Sequence, residues 1–192
     1  SGRLRLERAW TPPATLVSGA MDKFAHQLGE GARHLVRIEV QAGLAPVYVD
    51  PEITAEALAN LLLLLRDVSS EGRARSGALA AVTGEHPAVG ADGAPTLTLR
   101  TGRFQDKLGH GTEITVASLD AGALDPTQED LFVDITDDGK QTRFRPAAVL
   151  VKQLIARQRG KIVPVYEPGI VAGYRVRFPM GVTGEVQAIR SE

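Results

Sequence analysis

Cysteine is absent from all 192 residues. That excludes disulfides, thiolate metal sites and cysteine nucleophiles, and it fits a reducing compartment. An excess of charge of either sign is lacking too. Lys and Arg number 22 against 23 Asp and Glu, a formal net charge of -1, so nothing points to nucleic acid or an anionic membrane surface as a partner. No apolar run approaches the ~20 residues that cross a bilayer, no secretory signal is visible, and no internal repeat appears. What is there is ordinary globular composition, 43% hydrophobic and 23% charged. The length suits one domain with a real core over 1–192 and is short for two. Ser1-Gly2 reads as a tag remnant. The expectation is a cytoplasmic piece, without membrane contact of its own, cut from a parent that could be membrane-anchored.

Periodicity orders the chain. "LRLERAW" (Leu4 to Trp10) alternates as a strand or extended lead-in. Pro12-Pro13 then opens a helix in which Leu16, Val17, Ala20, Phe24 and Leu28 share the core face. "HLVRIEVQAG" alternates through Leu35, Val36, Ile38 and Val40, a half-buried strand. "LAPVYVDPE" is a short strand entering a helix, with Asp50 placed to cap and Pro51 in the first turn. The helix "EITAEALANLLLLLRD" is leucine-rich around most of its girth near its end, which predicts a centrally buried helix. Residues 69–95 are rich in Gly, Ala and Ser without period and read as a long loop insertion. Strands follow at "TLTLRT" (Thr96 to Thr101), "TEITVASL" (Thr112 to Leu119) and "LFVDIT" (Leu131 to Thr136). The helix "RPAAVLVKQLIARQ" puts Leu150, Val151, Leu154 and Ile155 on one face. "GKIVPVYE" and "AGYRVRFPM" close the chain as two strands joined at Pro168-Gly169. This order predicts an α/β (α+β) two-layer sandwich, one mixed sheet covered on one face by three helices.

Four stretches in series carry a resemblance. "LRLERAWTPPATLVSGAMDKF" resembles the segment that leaves the dimerisation helices of a sensor histidine kinase and enters the first helix of its catalytic, ATP-binding domain, the Bergerat or GHKL fold. "VYVDPEITAEALANLLLLL" resembles the N-box helix with its leading Asp, and "LFVDITDDGK" the strand and DxG of the G1 box. "AAVLVKQLIARQRGKIVPVYEPGIVAGYRVRFPM" resembles the region after the G2 box, from an LVK helix to a hairpin ending in Phe-Pro. The resemblance runs over nearly the whole chain. It implies a bacterial two-component signalling protein and a nucleotide site at four positions: Asn60, Asp137, Gly139 and Lys152.

Several residues depart from that pattern. With Asp50 as the family's leading Asp, Asn60 matches the Asn before "LL", and the metal-holding position one turn later falls on Leu64. A leucine offers no oxygen to a hard cation. In a second register "EALAN" sets Glu56 and Asn60 at i and i+4 on one face, the spacing by which the GHL branch places a general base and a metal ligand. The plain structural reading of Asn60 is a buried amide bonded to backbone near the sheet. Asp137 aligns with the Asp that binds the adenine amino group, and Gly139 with the glycine that admits the base. Gln141 stands in place of the second G1 glycine. The G2 box reads "RPAAVLVK", where Pro146 removes a donor N–H and Ala147 and Ala148 add methyls to a turn that needs bare amides for phosphates. The short span from Gly139 to the helix leaves no room for the family's ATP lid. Arg143, Arg145 and Lys152 remain as cations for phosphate, or simply as surface charge.

The phosphoacceptor histidine of the family sits on a dimerisation helix upstream of this domain. None of His26, His34, His86 or His110 has its context, and no two are spaced for a metal. "GHGTEI" precedes a strand, not a helix, so it is no phosphate loop. The expected function is that of a degenerate, pseudo-kinase-like domain without bound ATP or metal. It acts through contacts with a response regulator, a partner kinase or its own dimerisation helices, with 69–95 and "LDAGALDPTQED" as candidate contact segments. The alternative is a working ATP-binding catalytic domain of a histidine kinase, using Mg-ATP through atypical N, G1 and G2 boxes.

Overall fold

Apolar periodicity places three helices against one face of a sheet, and the computed structural model describes that arrangement for residues 6–83, 94–106, 109–119, 146–165 and 172–180, with only the backbone course given over 68–83 and at 172. β1 (Ala9–Thr11) pairs antiparallel with β3 (Val47–Val49) as a separate two-stranded ribbon. The main sheet has the order β2 (Val36–Glu39), β4 (Leu97–Asp106), β5 (Gly109–Ser118), β7 (Ala172–Pro179), β6 (Lys161–Pro164). β2 runs parallel to β4 and the other pairs are antiparallel, so the sheet is mixed, as expected. The single sheet of the sequence reading becomes a sheet and a ribbon. The strand expected at Leu131 to Thr136, the turn at Pro168-Gly169 and the segment 120–130 lie outside the described residues.

α1 (Pro13–Leu28) begins at Pro13, whose fixed φ suits the first helical position, with Pro12 extended before it as the N-cap. It buries Leu16, Val17, Ala20 and Phe24, and Leu28 packs half-buried against the same cluster. α2 (Pro51–Thr83) lies between α1 and α3 (Pro146–Arg157) and touches β4 and β5. Leu58, Leu61, Leu62, Leu64 and Leu65 are all buried, which makes α2 the central helix its composition announces. Each such leucine contributes about 2 kcal/mol of transfer free energy. On the inner face of the sheet Leu97, Leu99, Ile114, Val116 and Val176 meet them.

Three expectations need correction. The loop expected at 69–95 is helical as far as Thr83. Aperiodic Gly, Ala and Ser suggested a loop, yet Ala74, Ala78, Ala80 and Ala81 have the highest helix propensity of any residue, and a helix already nucleated at Asp50 propagates through two glycines at about 1 kcal/mol each. Leu150 is 45% exposed and so leaves the core face of α3, where Ala148 joins Val151, Leu154 and Ile155. The alternating strand at 36–40 is the edge of the sheet. Only Val36 is covered, and Ile38 and Val40 are exposed. "GHGTEI" lies within β5, and Gly111 is required there by contact. A Cβ on it falls 2.2 Å from the Phe178 carbonyl oxygen and 2.8 Å from the Phe104 ring.

Candidate functional site on α2 and α3

Asp50 fixes the start of α2. Its Oδ1 accepts the Ile53 N–H at 3.1 Å, the expected N-cap, and its carbonyl accepts the Thr54 N–H. Its Oδ2 accepts the Glu7 N–H at 2.7 Å, and its own N–H donates to Gln158 Oε1 at 3.1 Å. One buried carboxylate residue thus joins the N-terminal lead-in, α2 and the residue just past α3. Sequence reasoning found the cap and missed the other two bonds, because both partners are distant in the chain.

From Asp50 onward, α2 shows an accessible stripe through Glu52, Glu56, Asn60, Leu63 and Asp67, at helical spacing. Asn60 Nδ2 donates to the Glu56 carbonyl oxygen at 2.9 Å and to Glu56 Oε1 at 3.2 Å. The amide nitrogen is therefore engaged within its own helix: the backbone bond of the plain structural reading is present, to the Glu56 carbonyl, on an Asn60 that is half-buried, not buried. Lys23 of α1 reaches the same stripe, with Nζ 3.1 Å from Glu52 Oε2 and 3.5 Å from Glu56 Oε2. No periodicity argument points to Lys23; only the packing of α1 on α2 brings it there. Leu64 turns away from the stripe and is 5% exposed in the core cluster. The residue one turn beyond Asn60 that does reach the accessible side is Leu63, also aliphatic.

Lys152 is exposed on α3, on the side away from its buried face. α3 begins at Pro146, and Ala148 is already buried. The structure brings Glu56 and Asn60 into contact, and it packs α3 on α2. Asp137, Gly139, Gln141, Arg143 and Arg145 lie outside the described residues. No helix among the described residues is long and apolar enough to cross a membrane.

The Glu52 carboxylate, by hydrogen bonding to it, raises the pKa of Lys23 above its usual 10.5; the charges of Glu52 and Glu56 add to this and burial opposes it. A raised folded-state pKa gives stability that is fully present below the unfolded value and lost as pH climbs through the folded one. The Lys23 side chain is 30% exposed and that of Glu52 82%, so the pairs are worth only about 0.5–1 kcal/mol. Lys23→Met should therefore lower unfolding free energy by that amount at neutral pH. The gap between the two proteins should close above pH ~10.5, as read by urea unfolding across that range.

No family model matches the sequence, and no curated protein is similar enough to match it. Solved structures do match in fold. Full-length ShkA, determined in complex with AMPPNP, aligns with a TM-score of 0.51 at 16% identity, covering 93% of this chain and 32% of that one. The catalytic domain of the histidine kinase ThkA gives 0.49 at 9% identity, covering 92% and 97%. The Acinetobacter baumannii histidine kinase AdeS gives 0.48 at 13%, covering 93% and 70%. The α+β fold, a mixed five-stranded sheet with helices, is shared with ShkA over 93% of this chain.

Proposed function

We propose that this domain is a degenerate, pseudo-kinase-like relative of the histidine kinase ATP-binding domain, acting in bacterial two-component signalling on the cytoplasmic side through protein contacts and not through bound ATP. The observation that carries this reading is the place of Leu64. The position that the resemblance assigns to the metal-holding amide is an aliphatic side chain, 5% exposed, inside the core. Mg²⁺ takes oxygen ligands in near-octahedral geometry, and a leucine cannot supply one. A triphosphate without its cation, bare amides or lid meets an uncompensated concentration of negative charge. The second register fares little better. Its carboxylate, Glu56, already serves Lys23 and Asn60, so the groups that a base and a metal ligand need are turned on each other. Among partners of this class, a response regulator, a partner kinase or the domain's own dimerisation helices fit the reading.

Titration with Mg-ATP or a fluorescent ATP analogue tests it. The expected result is no saturable binding into the millimolar range, and no difference between the natural sequence and Asp137→Asn. Saturable micromolar binding that Asp137→Asn abolishes overturns the proposal and makes the chain a working ATP-binding domain with unusual ligands at Asn60, Asp137, Gly139 and Lys152.

A further inference from the structure

The five-stranded sheet ends in two edges of different character. β6 carries Lys161 and Pro164, residues that discourage a further strand. β2 carries Val36-Arg37-Ile38-Glu39, followed by Val40, and Arg37, Ile38, Glu39 and Val40 are all exposed. Ile38 is 47% and Val40 44% exposed, on a strand that among the described residues has a neighbour on one side only.

The direction of the peptide groups follows from the bonds to β4. The Leu35 carbonyl accepts the Thr96 N–H, the Arg37 carbonyl accepts the Thr98 hydroxyl, and the Gln41 N–H donates to Thr101 Oγ1. Residues of odd number in this strand thus aim their peptide groups at β4. Alternation turns those of Val36, Ile38 and Val40 to the open edge. The Val36 N–H is taken by the Arg33 carbonyl, which leaves the Val36 carbonyl and both polar groups of Ile38 and Val40 on that side.

The stretch V-R-I-E-V reads as its own complement when reversed. Two copies laid antiparallel about a two-fold axis at Ile38 set Ile38 against Ile38, Val36 against Val40, and Arg37 against Glu39 in both directions. Ile38 N–H and carbonyl then bond reciprocally, and the Val40 N–H meets the Val36 carbonyl. Arg37 and Glu39 fall at non-hydrogen-bonded pairs, where side chains come closest. We propose that β2 is a docking edge for a second copy of this chain, giving an isologous dimer with one continuous sheet through both domains. The self-matching charge pattern selects a second copy over an unrelated strand. The interface is short, so the association is weak and concentration-dependent. It stands independently of whether nucleotide binds.

The test uses the full chain in sedimentation equilibrium from micromolar to millimolar concentration. The average mass should rise from 20.5 kDa towards twice that value. Arg37→Glu or Glu39→Arg alone sets like charges face to face twice per dimer and should weaken association by about tenfold or more. Mixing the two single variants restores both pairings, and so should the double variant. The absence of cysteine permits a second measurement. Ile38→Cys places two sulfurs at a hydrogen-bonded antiparallel pair, with Cα atoms about 5.5 Å apart, within disulfide reach. It should oxidise to a covalent dimer much faster than Lys161→Cys on the opposite edge. A monomer throughout the range, charge reversals without effect, or equal oxidation at the two edges each overturns the proposal.

Discussion

Asp50→Ala should lower the melting temperature by about 6–12 °C. Both carboxylate oxygens of Asp50 are occupied, Oδ1 by the Ile53 N–H and Oδ2 by the Glu7 N–H, and the residue is 5% exposed. Loss of an N-cap costs about 1 kcal/mol, and hydrogen bonds to a charged acceptor are worth about 1.5–3 kcal/mol each. The sum, discounted for overlap, is about 3 kcal/mol, and a domain of this size loses ~2–4 °C per kcal/mol. Asp50→Asn keeps an oxygen for the cap and gives up the charge and the second acceptor, so it should fall between the two. Thermal unfolding followed by circular dichroism gives the comparison. An alanine variant that melts within ~2 °C of the natural sequence means that the lead-in and α2 do not depend on this carboxylate. The effect should appear as a fault in docking as well as in the helix. Glu7 precedes the β1–β3 ribbon, so its release frees the strand that pairs with the residues just before Asp50.

The parts of this architecture written in local periodicity could be read from the chain alone. The core faces of α1 and α2, the Asp50 cap and the helix at Pro146–Arg157 follow from spacing and turn chemistry within a few residues. Reading failed where non-local packing decides. Ile38 and Val40 alternate like a half-buried strand, but alternation cannot say that β2 is the end strand among the described residues and that cover stops at Val36. Leu150 fits the apolar face of α3 by period, while the residue that packs is Ala148, at i−3 and i−7 from the buried Val151 and Ile155. The run after Asp67 lacks an apolar stripe, so a period search sees no helix there, yet the backbone is helical to Thr83, as the propensity of its alanines favours. At the candidate site Asn60 and Glu56 could be found by motif and spacing. Lys23 could not, since its place beside them is a product of α1 packing on α2.

Placing an amide at Leu64 should destabilise the fold without creating a nucleotide site. Leu64→Asn removes about 2–3 kcal/mol of apolar burial and adds a desolvated amide costing ~1–3 kcal/mol when no partner awaits it. With Leu64 5% exposed among buried leucines, the expected loss is about 4 kcal/mol, a fall of ~8–16 °C in melting temperature. Leu63→Asn, on the half-exposed side of the same helix, should cost about 1 kcal/mol and serves as the control. On the proposed reading neither variant should acquire Mg-dependent nucleotide binding, because a metal ligand alone does not supply the phosphate-binding amides, and Pro146 has no N–H to offer one. Melting curves and the same nucleotide titration decide the matter together. A Leu64→Asn protein that keeps its melting temperature and binds Mg-ATP saturably overturns the proposed reading of Leu64.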